Sequence, residues 1–107
     1  MNVITNNNIK CTIALAALQS VVDPEIGLNV VDLGLIYQID FDETNKAIYT
    51  TMTLTTQFCP MGESISDAVK RVLENVFSDM KINLELSFNP AWSHERISPE
   101  GQNFLNQ

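Results

Sequence analysis

Apolar residues recur along this chain with two different periods, and the changes of period mark its elements. Between Ile9 and Val22, the residues Ile13, Ala14, Ala17, Leu18 and Val21 fall on one helical face, which predicts a first helix with Asn8 as its N-cap. Pro24 disfavours helical geometry in Asp23, so the helix is expected to stop there. Asp23-Pro24-Glu25-Ile26-Gly27 reads as a turn, since Asp before Pro starts turns and Gly27 supplies backbone freedom. Leu35, Tyr37, Ile39 and Phe41 then alternate with Ile36, Gln38, Asp40 and Asp42, the period-two pattern of a half-buried strand. Asp42 to Asn45 has the length of a hairpin connection, and a second strand is expected from Lys46 to Thr56, rich in Thr, Ile, Tyr and Leu.

The period returns to three and four at Ile65, Ala68, Val69, Val72, Leu73, Val76, Phe77 and Met80, the clearest helix in the chain. Pro60 suits its first turn, where a missing N–H costs nothing. Ile82, Leu84, Leu86 and Phe88 alternate with polar residues as a third strand ended by Pro90, and Ser98-Pro99-Glu100 reads as the cap and first turn of a short terminal helix. The order is α-β-β-α-β with a C-terminal tail. It predicts an α+β fold, a two-layer α/β sandwich with a small mixed three-stranded sheet and both helices on one face. The crossover through the long helix should make the third strand parallel to the second. Residues 1–8 are polar, Asn-rich and expected to fray, leaving 9–107 as a single domain.

Charge and composition narrow the function. The 107 residues are 45% hydrophobic and 18% charged, as in an ordinary globular domain, with a formal net charge of −7. That balance argues against a nucleic-acid surface, which needs clustered Lys and Arg, and against docking on an anionic membrane. No apolar run approaches the roughly 20 residues that span a bilayer. The first eight residues lack the basic-then-apolar order of an export signal, so the expected location is the reducing cytoplasm with both cysteines as thiols. The residues alone leave open whether Cys11 and Cys59 pair.

Cys59 carries the strongest chemical signal. It follows a strand and precedes a helix, where unpaired N–H groups and the macrodipole lower a thiol pKa. A thiolate there attacks electrophiles or binds soft metals. A buried inert cysteine is the alternative, and it is the reading favoured for Cys11 in the first helix. Asp23 and Glu25 bracket a proline and either orient or polarise a group near the thiolate, help coordinate a metal, or simply cap and form the turn. His94 could serve Cys59 as a base or be merely solvated; Trp92 could anchor a partner or cap the sheet. There is no glycine-rich phosphate loop, CxxC, HExxH or zinc-type spacing. One cysteine cannot fill the four thiolate positions of an iron–sulfur cluster, so a cluster here needs two subunits, a partner or other ligands.

Three blocks together resemble the PaaD/SufT-like family of metal–sulfur cluster biosynthesis proteins. The first is Asp23-Pro24-Glu25-Ile26 followed by Asn29-Val30-Val31-Asp32-Leu33-Gly34-Leu35-Ile36; the second is Met52-Thr53-Leu54-Thr55-Thr56-Gln57-Phe58-Cys59-Pro60; the third is Phe88-Asn89-Pro90-Ala91-Trp92, running on through Ile97-Ser98 and Gly101. The resemblance runs from Ala14 to Leu105, with Gln57 and Ala91 standing where many relatives carry proline. It implies an auxiliary assembly factor, not a metabolic enzyme, that binds or transfers iron or an iron–sulfur cluster transiently. Cys59 matches the family's reactive cysteine, Asp23 and Glu25 its acidic turn, and Thr56 belongs to the cysteine block. The implied partners are the iron–sulfur assembly machinery and apo client proteins, with a homodimer as one way to complete the ligand set. A non-catalytic adaptor for cluster delivery and, less well supported, a cysteine-dependent enzyme are the competing readings.

Overall fold

The computed structural model describes residues 3–55 and 62–106. Its elements are β1 (Ile4–Thr5), α1 (Asn8–Leu18), β2 (Ile36–Asp42), β3 (Ala47–Met52), α2 (Gly62–Val76), β4 (Lys81–Leu86), a 3-10 turn at His94–Arg96, and α3 (Pro99–Leu105). One mixed sheet runs β1-β2-β3-β4. β2 and β3 are antiparallel, β3 and β4 parallel as the crossover requires, and β1 lies parallel to β2. The architecture is the expected α+β one, with a fourth strand that the sequence pattern does not announce.

That fourth strand comes from the tract expected to fray. Ile4 and Thr5 pair with Gln38 and Ile39, too few residues to show a period of two. Asn6 then extends the ladder with its side chain: Nδ2 donates to the Phe41 carbonyl and Oδ1 accepts from the Phe41 N–H, both at 2.9 Å. A primary amide here mimics the donor and acceptor of one more strand residue. Asn7, not Asn8, caps α1, accepting from the Lys10 N–H at 3.0 Å.

α1 is shorter and rotated relative to the predicted stripe. It ends at Leu18, because Ser20 folds back onto the Ala17 carbonyl and Val22 bridges Asn29 in extended geometry. Its buried positions are Cys11, Ala14 and Leu18, while Ile13 stays 49% exposed. α2 buries Ile65, Val69 and Leu73 at i, i+4 and i+8, and packs against α1 and β4. Ile48, Thr50 and Met52 of β3 turn inward, whereas Tyr49 faces out. β3 ends at Met52, short of the expected Thr56; the Thr53 N–H still donates to Leu35 O at 2.8 Å. Leu18, Leu33, Leu35, Ile39, Ile48, Met52, Val69 and Leu73 form the fully buried centre of the core.

Candidate functional site

The acidic turn is a small hairpin built by its own aspartate. Val22 bridges Asn29, the Asp23 N–H donates to Leu28 O at 3.0 Å, and the Asp23 carbonyl accepts from Gly27 N at 2.7 Å. Gly27 sits at φ +82°, which an L side chain rarely adopts. Asp23 is only 2% exposed, and its carboxylate Oδ1 accepts from the Glu25 N–H at 2.9 Å. Asp23 thus holds the turn shut, the structural role open to it in the sequence. Glu25 is exposed at the tip.

The turn and the first turns of α2 face one another across a groove of about 330 Å³. Val21, Val22 and Pro24 form one wall, and Ile65, Ala68 and Val72 the other, with Arg71 as the charged lining residue. The segment carrying Thr56 and Cys59 lies outside the described residues; its two ends do not. Leu54 is buried, and α2 starts against it: a Cβ on Gly62 would lie 2.5 Å from Leu54 Cδ1. The fold therefore brings the acidic turn beside the helix that follows Cys59 in the chain.

Cys11 contrasts with this. It is a buried free thiol on the core side of α1, and burial pushes its pKa up, with a hydrogen bond to the Thr5 side chain opposing. His94 is exposed in the 3-10 turn with its ring 5.2 Å from that of Trp92. Trp92 is half-buried on the core and donates from Nε1 to Leu33 O at 2.6 Å, so it caps the fold rather than projecting as an anchor.

Sequence reasoning passed over the residues that fasten the tail. Asp32 accepts from Asn29 Nδ2 at 2.7 Å and from Ser98 Oγ at 2.8 Å, and its carbonyl takes the Ser98 N–H at 2.8 Å. Ser98 in turn caps α3 through the Gly101 N–H. Gly34, at φ +76°, lets Arg96 pass so closely that a Cβ would collide with the Arg96 carbonyl oxygen. Arg96 lies 4.1 Å from the centre of the Tyr37 ring, and Tyr37 Oη donates to Pro90 O at 2.8 Å. The signal available was the Asn-x-x-Asp-x-Gly spacing from Asn29 to Gly34, a turn pattern with its own side-chain acceptors. Among the described residues, no group of three or more His, Cys, Asp or Glu side chains converges as a metal site.

Comparison with known proteins converges on one family. A family model described as iron-sulfur cluster assembly protein matches residues 13–84. The chain is similar to the Fe-S protein maturation auxiliary factor YitW of Bacillus subtilis, 38% identical over 84 residues that cover 78% of this chain and 81% of the relative. It is also similar to the Fe-S protein maturation auxiliary factor SufT of Staphylococcus aureus, 36% identical over 78 residues, 73% of this chain and 88% of that one. Among solved structures, a domain of unknown function from Bacillus anthracis has the same fold, with a TM-score of 0.82 at 38% identity, covering 89% of this chain and 90% of its own.

Proposed function

The chain belongs to the iron-sulfur cluster assembly protein family, and we propose that within it this protein is an auxiliary maturation factor that carries iron or an iron–sulfur cluster on the Cys59 thiolate and yields it to apo clients. The observation that carries this reading is the burial of the other sulfur. Cys11 packs in the core with its thiol pKa raised, which leaves Cys59 as the chain's thiol for an external soft metal.

The cargo is a substrate here, not a resident cofactor. Binding iron releases the Cys59 proton. A cluster held by one cysteine keeps its other positions for thiolates of the donor or the client. Transfer replaces the Cys59 sulfur at iron by a client thiolate, and Cys59 takes a proton back. Asp23 acts as a positioning residue by holding the turn that forms one wall of the adjoining groove, with Glu25 at its tip; Thr56 joins the site through its place in the cysteine block. Partners are the assembly machinery and apo clients, in a reducing compartment that keeps both thiols free. None of the described helices is long and apolar enough to cross a membrane.

Anaerobic incubation with ferrous iron and sulfide, followed by iron counting and visible absorption, tests the proposal. Wild type should take up iron, alone or with a cluster donor, and Cys59→Ser should lose that uptake. Equal uptake by both would remove Cys59 as the ligand. The adaptor reading has its own observation, the apolar groove with Arg71 beside the acidic turn. It predicts that client maturation in cells survives Cys59→Ser and fails when Arg71 or Val22 is replaced by Glu.

A further inference from the structure

β4 closes the sheet on one side, pairing with β3, and its other edge has no strand partner among the described residues. Edges of this kind recruit further strands unless they are blocked. Ile82 is buried in the core and Leu84 packs against it, while Lys81 and Glu85 are exposed on the opposite face. Leu86, on the apolar face at the strand end, remains 38% exposed, and Phe88 just beyond it 37%. Neither Lys81 nor Glu85 takes part in an ion pair among the described residues. Four positions apart on one strand, the two stand roughly 13 Å apart along it and do not neutralise each other.

We propose that the β4 edge is a homodimer interface in which two copies pair antiparallel, centred on Asn83, to make one continuous eight-stranded sheet. A two-fold axis normal to the sheet keeps both helix layers on the same side. Residues directly opposite in an antiparallel pair share a face, so only registers centred on a residue keep apolar against apolar. Centring on Asn83 sets Lys81 against Glu85 of the second copy twice by symmetry, Ile82 against Leu84, and Met80 against Leu86. Centring on Ile82 would instead set Asp79 against Glu85 twice, a like-charge pair. Centring on Leu84 would leave Lys81 against Ser87 and Glu85 against Asn83, with neither charge matched. Opposite charges across strands stabilise and like charges destabilise, so the Asn83 register is selected. It also covers the exposed Leu86.

Antiparallel β4 strands set the C-terminal ends of the two β3 strands, from which the cysteine segments depart, at opposite ends of the joined sheet. The proposal is independent of the role assigned to Cys59.

The test is sedimentation equilibrium of the full chain from micromolar to millimolar concentration, with urea midpoints confirming that each variant folds. Wild type should dimerise. Lys81→Glu and Glu85→Lys should each weaken dimerisation about ten-fold or more, since each creates two like-charge pairs. The double reversal Lys81→Glu with Glu85→Lys should restore it. Amide exchange in β4 should slow as protein concentration rises. A monomer throughout the range, or a dimer indifferent to the single reversals or not rescued by the double one, would overturn the proposal.

Discussion

Cys11 and Cys59 share a side chain and differ in what surrounds the first of them. Cys11 sits in the core beneath α1, and its pKa lies above its ordinary value because the thiolate would be desolvated. Native protein at pH 8 should therefore alkylate at one cysteine, and urea-unfolded protein at two; mass spectrometry of the alkylated peptides reads this directly. The same shift has a pH signature. With the folded pKa raised above the ordinary value of 9.0, the contribution to stability is complete below about pH 9. It is lost as pH rises through the folded pKa. Urea midpoints of wild type should fall on that alkaline limb more steeply than those of Cys11→Ala. Gly34 makes a second prediction at this scale. Alanine there meets both a positive φ and the Arg96 carbonyl, so Gly34→Ala should cost about 3 kcal/mol in urea unfolding. A loss below 1 kcal/mol would mean that the tail can lift away from the sheet.

The elements were legible where burial is periodic and obscure where single side chains stand in for backbone. The long helix, the hairpin, the parallel return of β4 and the Ser98 cap all follow from apolar spacing and turn chemistry that the sequence displays. β1 does not, because two residues carry no period and the ladder is completed by the Asn6 amide. Asn6→Ala would leave the Phe41 N–H and carbonyl without these partners. It should cost about 2 kcal/mol and speed amide exchange at Phe41, while Asp42 to Met52 exchange as before. The apolar seam of α1 runs along Cys11, Ala14 and Leu18 and leaves Ile13 exposed, because the helix packs against α2 and buries only a narrow face. Asp32 was invisible as an anchor since its partner Ser98 lies 66 residues away and no local pattern connects them. Ser98→Ala should fray α3 and lower stability by about 1 kcal/mol, measurable as lost helical ellipticity and a lower midpoint.

At the scale of the whole molecule, the acidic turn and the start of α2 come together across the groove, and α2 starts against Leu54, just beyond the C-terminal end of β3. Sequence reading identified the turn and the cysteine separately. The third dimension adds the groove that joins the turn to α2, and it assigns Asp23 a job inside the turn. The tail, with Trp92 and His94, is fastened to the Leu33–Tyr37 region instead. The central claim is that one thiol holds the cargo. Its most direct measurement is the iron content of anaerobically purified and reconstituted protein, wild type beside Cys59→Ser and Cys11→Ala. The account predicts iron in the wild type and in Cys11→Ala, and its loss in Cys59→Ser. Undiminished iron in Cys59→Ser would contradict it.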